Sequence, residues 1–259
     1  MDSTKKLVKR ETGIVCCLVF ATLFIALSNL LAPHFDGAYW YIVSSLQRLL
    51  FGIVELFLFM KIFKKDKWTD VLHLKNFKHG LAASSVMFLI ILFNIVTYFF
   101  IGAKSWIDTT VPIVVSCLFF QQITTGFWEE LTFRAFVVEG YYQTENKTKR
   151  TRFVYVFISF VIFGMLHAVE CDSISMALYR FVTTGIWGFT FASVYLYSHN
   201  LLVVMLMHFV TNIFSNATIF IAEFNISTAF IVLNDYIYFV LLGAMLLTAV
   251  VYLCKEPKV

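Results

Sequence analysis

Three ionisable residues, Glu129, Glu130 and Arg134, lie within six positions of a segment that is otherwise apolar enough to cross a membrane. A charge near the centre of a bilayer costs from a few to about 10 kcal/mol, so such residues usually serve a purpose. On a helix, Glu130 and Arg134 are four residues apart with the acid first, which favours an ion pair. Glu129 points about 100° away from Glu130 and is left free for chemistry. The alternative is a purely structural charge cluster between helices.

Two further apolar segments each carry a histidine. His167 lies near the end of one, and His208 and Asn212 share one face of the other because they are four residues apart. Taken separately, such residues are common as packed histidines or as hydrogen bonds between membrane helices. At 1.5 Å of rise per residue, they also lie within one or two helical turns of Glu129 in depth. We therefore expect these side chains to meet in one polar cavity in the inner half of the bilayer, open to the cytosol.

This set of groups suits general acid–base catalysis. A carboxylate in a poorly solvated cavity can act as a general base. Glu129, His167 and His208 also provide three ligands, the number that catalytic Zn²⁺ sites use. The spacing differs from His-Glu-x-x-His, and no cysteine accompanies it. A site without cofactor is therefore favoured over a zinc site.

The composition identifies the environment of these residues. The chain has 259 residues, of which 60% are hydrophobic and 14% charged, whereas soluble domains have about 45–50% and about 25%. This composition predicts a polytopic membrane protein. The net charge of +4 does not indicate a nucleic-acid partner, because the basic residues form short clusters between hydrophobic runs. The five scattered cysteines predict no disulfide framework.

Runs long enough to span about 30 Å of hydrocarbon predict eight transmembrane helices. The predicted spans are about 13–32, 39–62, 81–103, 110–140, 153–170, 174–197, 201–222 and 229–253. With the N-terminus inside, 16 basic residues fall in inner segments and only Lys104 in an outer one, as the positive-inside rule requires. The sequence thus predicts an all-α fold in one transmembrane domain, 1–259, with both termini cytosolic and the catalytic helices in 110–222.

The second predicted span contains two more charged residues, Arg48 and Glu55, which lie seven positions apart on nearly one helix face. We interpret both as structural, paired with each other or with Arg180 of the sixth span. Neither belongs to a motif that suggests catalysis.

Three of these patterns together resemble a known family. Glu129-Glu130-x-x-x-Arg134, Phe163-x-x-x-His167 and His208-x-x-x-Asn212 are similar, in this order and on separate spans, to the three motifs of the CAAX-protease and bacteriocin-processing family, also called CPBP or Abi. The resemblance covers about residues 110–222. Each motif alone is weak, whereas three in order at matching depths are specific.

The resemblance implies a glutamate-dependent, metal-independent intramembrane endopeptidase. In such an enzyme Glu129 and His167 would bind and activate a water molecule, and His208 with Asn212 would stabilise the oxyanion. Glu130 and Arg134 would hold the site together.

The implied substrate is a peptide or a membrane protein, cut near the cytosolic face of a bacterial plasma membrane. Bacterial relatives suggest processing of bacteriocins or peptide pheromones, or self-immunity. The lipid bilayer is the other expected partner, and the sequence does not indicate an oligomeric state. One alternative is a non-catalytic immunity or scaffold protein that binds a peptide or partner through the polar cavity. A transporter or proton relay is disfavoured, because the spans lack inverted repeats and helices broken by Gly or Pro.

Overall fold

The computed structural model of the chain describes residues 3–35, 37–225 and 227–258. Within these residues nearly all of the chain is helical, which confirms the predicted all-α polytopic membrane protein. The α-helices are α1 (Ser3–Leu31), α2 (Gly37–Phe63), α3 (Phe77–Ala83), α4 (Ser85–Asn94), α5 (Val111–Val114), α6 (Gln121–Glu130), α7 (Phe136–Gln143), α8 (Lys149–Ala168), α9 (Ile174–Ser198), α10 (Leu201–Asn216) and α11 (Thr228–Cys254).

Wider π-helical turns extend or join some of these helices. They comprise Ile95–Gly102 after α4, Val115–Phe120 between α5 and α6, and Leu131–Ala135 between α6 and α7. The fourth predicted span is therefore one 33-residue helical path, Val111–Gln143. Its last π-turn follows Glu129 and Glu130 directly and contains Arg134. Such π-bulges are rare and are often found at functional sites.

Seven described helical stretches are long and apolar enough to cross a membrane, and α9 is not among them. With 25 residues, α9 has the required length, but serines, threonines and Arg180 reduce its hydropathy. Its second half is buried against other helices, from Gly188 to Ser198. A span shielded from lipid in this way does not need an apolar surface on every side. The count of eight spans and the cytosolic termini stay predictions.

Polar residues at the helix starts fix the lengths of the later helices. The side chains of Thr148, Ser173, Asn200 and Ser227 accept hydrogen bonds from backbone N–H groups in the first turns of α8, α9, α10 and α11. These groups would otherwise lack partners. At the other end of α9, His199 takes a left-handed conformation with φ of 47°, which turns the chain into α10. Five residues, 169–173, join α8 to α9, so the two helices pack as an antiparallel pair.

A small antiparallel sheet was not expected from the sequence. Strand β1 (Ala103–Trp106) follows the third span, and β2 (Ile221–Phe224) follows the seventh. A salt bridge of 3.1 Å between Lys104 Nζ and Glu223 Oε2 adds to the pairing. The sheet thus ties together the ends of two spans that are more than 110 residues apart in sequence.

The helix α6 is held against α2 by a buried carboxylate. Glu55 Oε1 accepts a hydrogen bond from Trp128 Nε1 at 2.9 Å, and Glu55 Oε2 accepts one from Thr132 Oγ1 at 2.7 Å. The expected pairing of Glu55 with Arg48 or Arg180 is therefore wrong, because Trp128 of α6 and Thr132 of the following π-helical turn occupy its two carboxylate oxygens. Glu55 instead positions the helix that carries Glu129.

At the end of the bundle that carries the basic clusters, polar contacts tie the loops together. Glu139 is bound by Lys65 at 2.9 Å and by His199 at 3.0 Å. The side chain of Asn200 donates hydrogen bonds of 2.7 Å to the carbonyl oxygens of His73 and Lys75, so the 64–76 loop lies across the start of α10. This end of the molecule is closed by packed chain.

Replacing Glu55 with alanine is expected to destabilise the protein. The substitution leaves the buried Trp128 N–H without its acceptor, which costs about 1–3 kcal/mol, and the lost packing adds to this. Glu55→Gln keeps an acceptor for Trp128 and should cost less. The measurement is the unfolding midpoint in detergent micelles. Leu50→Ala in the same helix is the control, because the Leu50 side chain is 63% exposed. An equal effect of Glu55→Ala and Leu50→Ala would contradict the assigned role.

Candidate active site

The ion pair expected within the first motif is present and fully buried. Arg134 Nε lies 3.2 Å from Glu130 Oε2, and both side chains have no exposed surface. The guanidinium also lies 4.1 Å from the ring centroid of Phe163 and 5.1 Å from that of Phe191. Aromatic faces attract a cation when water is excluded. Arg134 is therefore compensated by one carboxylate and by a cage of aromatic rings.

Glu130 does more than neutralise Arg134. Its other oxygen, Oε1, accepts a hydrogen bond of 2.6 Å from His208 Nδ1, which joins the first motif to the third. The imidazole is stacked on the Phe191 ring at a centroid distance of 5.2 Å and an angle of 14°. Since Nδ1 is held by a carboxylate, the proton lies on that nitrogen. His208 Nε2 then faces Glu129, whose Oε2 is 3.7 Å away.

The imidazole of His167 is oriented by its own helix. Nδ1 lies 2.9 Å from the carbonyl oxygen of Phe163, one turn earlier in α8. A carbonyl oxygen can only accept, so Nδ1 carries the proton and Nε2 is left as an acceptor. The first residue of the Phe163-x-x-x-His167 motif thus has two functions. Its carbonyl sets the tautomer of His167, and its ring covers Arg134.

The four expected catalytic side chains line a single cavity of about 340 Å³ between α4, α6, α8, α9, α10 and α11. They are Glu129, His167, His208 and Asn212. Glu130 and Arg134 lie behind this wall, buried. The prediction that three spans bring their polar residues to one cavity therefore agrees with the geometry. The catalytic roles stay predictions.

Gly126 permits the close approach of α6 to α10 that this geometry needs. A Cβ atom at this position would lie 3.2 Å from the carbonyl oxygen of Met205 and 3.9 Å from the Cβ of His208. The absence of a side chain one turn before Glu129 and Glu130 therefore lets His208 come within reach of both carboxylates.

A second cavity, of about 180 Å³, lies on the other side of Glu129 and His167. It is formed by α1, α2, α6 and α8 and the turn after α8, and its charged residues besides Glu129 are Arg48 and Glu170. Glu129 and His167 are thus the residues that the two cavities have in common. Their side chains form the boundary between the two spaces.

The depth of the site in the bilayer stays a prediction. Counted at 1.5 Å per residue along the helices, Glu129 lies about 21 Å from Gln143 and His167 about 27 Å from Lys149. Both helix ends extend past the hydrophobic runs from which the depth is counted, so these distances leave the expected depth unchanged.

The exposed lining residues of the cavity lie toward the end of the bundle opposite the basic clusters. Between the site and the basic end, every residue of 130–141 and of 188–198 is buried. The exposed lining residues, Arg180 and Ser215, lie toward the other end. There an adjoining cavity of about 420 Å³ includes Ser215 and extends to Thr218 and Asp235. The exposed side of the cavity therefore lies away from the basic clusters, and the expected opening to the cytosol stays a prediction.

The arrangement bears on the zinc alternative. Among the residues that the structure describes, no three His, Cys, Asp or Glu side chains are grouped to hold a metal ion. His208 has its Nδ1 engaged by Glu130, and its Nε2 faces Glu129 at 3.7 Å. The choice between a site without cofactor and a zinc site stays a prediction.

Sequence reasoning missed three contributors to this site. Phe191 stacks on His208 and faces Arg134, Glu55 holds α6, and Arg48 lines the second cavity. Phe191 gave no signal, because it is one aromatic residue among 30 phenylalanines. Arg48 and Glu55 did give a signal, as charges within a span, but the sequence does not tell which helix each one faces.

We expect Arg134→Met to destabilise the protein by about 3–5 kcal/mol, because it leaves the Glu130 charge buried and uncompensated. The double variant Glu130→Gln/Arg134→Met removes both charges and keeps an oxygen that can accept from His208. It should recover most of the lost stability. The measurement is the unfolding midpoint in micelles for both variants. A double variant that is less stable than Arg134→Met would show that charge balance is not what Arg134 provides.

Comparison with known proteins agrees with the motifs. Residues 110–214 match the family model described as "Type II CAAX prenyl endopeptidase Rce1-like". The searches of the curated proteins and of the solved structures found no match. The matched segment contains all six residues of the expected site, so the resemblance is confirmed. Residues 110–214 are thus similar to the Rce1-like members of the CAAX-protease and bacteriocin-processing family.

Proposed function

We propose that this protein is an intramembrane endopeptidase that hydrolyses a peptide bond with a water molecule activated by Glu129 and His167. The observation that carries the proposal is the position of these two side chains. They form the boundary between two cavities, where an extended peptide can have residues on either side. His208 and Asn212 line the larger of the two cavities beside them. Similarity to a protease family supports the same reaction class.

The water is activated by two acceptors. His167 Nε2 is an acceptor when Nδ1 donates its proton to the Phe163 carbonyl oxygen. The Glu129 carboxylate is the second acceptor. A water molecule between them donates its two hydrogens to these acceptors and directs a lone pair at the substrate carbonyl carbon. As the C–O bond forms, one water proton passes to Glu129.

The oxyanion is stabilised from the α10 side. The amide N–H₂ group of Asn212 is one donor. His208 becomes the second donor only when its ring carries two protons, because the Nδ1 proton is used by Glu130. In this doubly protonated ring, the Nε2–H group points into the cavity. Donors of this kind contribute about 2.7–4 kcal/mol each to the stability of the transition state.

Collapse of the tetrahedral intermediate completes the reaction. The C–N bond breaks, and the leaving amine takes the proton that Glu129 received from the water. The products are a carboxylic acid and an amine, and Glu129 returns to its starting state. Every proton is accounted for without a metal ion or other cofactor, and metal independence is part of the proposal.

The proposal includes the side of substrate entry. The end of the bundle with the basic clusters is closed, and the exposed side of the cavity lies toward the other end. Since the basic end faces the cytosol under the positive-inside rule, the substrate enters from the opposite face. This differs from the cytosolic cleavage expected from the sequence. In a bacterial plasma membrane, the substrate would be an exported peptide or the outer segment of a membrane protein, as bacteriocin or pheromone maturation and self-immunity would require.

The catalytic proposal predicts that Glu129→Gln reduces cleavage by about 10²–10⁴-fold, the usual contribution of a general base. The amide has nearly the same size as the carboxylate, so the unfolding midpoint should change little. Peptidomics of cells with the wild-type protein and with Glu129→Gln should reveal a precursor that accumulates uncut in the variant. The purified wild-type protein should then cut that precursor, with or without a metal chelator.

The control is Asp108→Asn, an exposed carboxylate of the loop before α5, which should leave cleavage unchanged. A phenotype that survives both Glu129→Gln and His167→Ala would refute the protease proposal. It would favour the non-catalytic immunity or scaffold protein. Loss of cleavage on chelation, restored by Zn²⁺, would refute metal independence alone.

The entry route predicts opposite labelling of two introduced cysteines in a chain whose five native cysteines are replaced. Ser215→Cys lies in the cavity opening, and Arg150→Cys marks the basic end of α8. A membrane-impermeant thiol reagent should modify Ser215→Cys in intact cells and Arg150→Cys only in inverted vesicles. Modification of both from the same side would contradict the proposed entry route.

A further inference from the structure

Arg48 lies in the smaller cavity, within reach of the proposed reaction centre. Two of its guanidinium nitrogens, Nε and Nη1, are buried and have no hydrogen-bond partner among the described residues. The side chain passes over the Phe24 ring, with the guanidinium carbon 5.3 Å from the ring centroid. The carboxylate nearest in sequence on the same helix face, Glu55, is occupied by Trp128 and Thr132. Arg48 is therefore not part of a closed structural ion pair.

A buried guanidinium with free donors is costly at this depth. Charged groups within a membrane protein normally pair or line a functional cavity. Glu129 and Glu170 are the carboxylates that line the same cavity as Arg48. Neither forms a hydrogen bond with the two buried nitrogens. The charge is balanced at a distance, while the directional donors remain available to an incoming group.

The charge and the planar geometry of the Arg48 N–H donors favour a carboxylate as the bound group. The guanidinium presents N–H groups in a planar fork that fits the two oxygens of a carboxylate. A neutral carbonyl group would occupy only part of the fork and leave the charge without a counterion. The cavity of about 180 Å³ is similar in size to a cavity of about 150 Å³ that holds a benzene molecule. It therefore accommodates a short end or a side chain of a substrate, and not a long chain.

We propose that Arg48 binds a carboxylate of the substrate close to the bond that is cut, and so determines which peptides the enzyme accepts. The inference rests on the proposed function, because it places the reacting bond at Glu129 and His167. The carboxylate is either the C-terminus of the substrate or the side chain of an Asp or Glu. In either case, the substrate residues on the Arg48 side of the reacting bond lie in the smaller cavity.

Glu170 provides a second way to test the proposal. It is an exposed carboxylate in the turn between α8 and α9, and it lines the same cavity as Arg48. A substrate carboxylate competes with Glu170 for Arg48 and is repelled by it. Removing the charge of Glu170 should therefore strengthen the binding of an acidic substrate, whereas removing the charge of Arg48 should weaken it.

The test measures binding without cleavage, in the full-length Glu129→Gln protein in nanodiscs. The probes are three N-acetylated tripeptides: trileucine as the free acid, trileucine as the C-terminal amide, and Leu-Leu-Asp as the C-terminal amide. The free acid, the aspartyl amide or both should bind about 10- to 100-fold more tightly than the neutral amide. At about 1.4 kcal/mol for each tenfold change, this range corresponds to about 1.4–2.8 kcal/mol, which is typical of one hydrogen bond to a charged group. The tighter of the two acidic peptides identifies the source of the carboxylate.

Three variants in the same background test the residue. Arg48→Gln should remove the preference for the acidic peptide and leave the affinity for the neutral amide unchanged. Arg48→Lys, which keeps the charge without the fork, should retain part of the preference and serves as the test if Arg48→Gln does not fold. Glu170→Gln should increase the preference.

Equal binding of acidic and neutral peptides would overturn the proposal, and so would an equal loss of both in the Arg48 variants. In the latter case Arg48 has a structural role. In the otherwise wild-type enzyme, a shifted pH profile with equal loss of cleavage for acidic and neutral substrates would make Arg48 a counterion of Glu129, and would also overturn the proposal. Binding is measured in the Glu129→Gln protein, so its result does not depend on cleavage. If Arg48 binds the acidic peptide but the wild-type protein cuts no peptide, the proposed protease function is refuted and the Arg48 site stands.

Discussion

The structure depends on the carboxylate of Glu130, which contacts two cationic or potentially cationic groups inside the bundle. One oxygen faces Arg134 at 3.2 Å and the other accepts from His208 at 2.6 Å. Because these residues come from the fourth and the seventh span, the same carboxylate joins two helices and balances a charge. A buried carboxylate of this kind is stable only with its partners in place. The spans must therefore assemble in one register before the site can exist.

Aromatic rings enclose the two groups that Glu130 contacts. Phe163 and Phe191 enclose Arg134, and Phe191 also stacks on His208. These rings exclude water from the Arg134 side, so water reaches the polar groups only from the two cavities. The two adjacent glutamates therefore lie in different environments. Glu130 is sealed and holds the scaffold, while Glu129 has 12% of its side chain exposed and borders both cavities.

Local spacing in the sequence was sufficient to predict contacts within one helix, and it failed for contacts between helices. The Glu130–Arg134 pair follows from an i, i+4 spacing, and three motifs at matching positions were enough to expect a shared cavity. The bonds of Glu55 to Trp128 and Thr132 depend on how α2 is rotated against α6, which no local pattern encodes. The same holds for β1 and β2, whose pairing joins distant loops.

The composition of α9 has a consequence for how the chain enters the membrane. A helix with this many hydroxyl groups and an arginine gains less free energy from transfer into hydrocarbon than its neighbours do, and about half of its length is buried against other helices. Only five residues connect it to α8, against which it packs along its length. During biogenesis, insertion of α8 and α9 together as a helical hairpin is therefore favoured, because α8 packs against a face of α9 that would otherwise contact lipid. A substitution on α8 that weakens this pairing would then act on insertion and topology before it acts on the folded site.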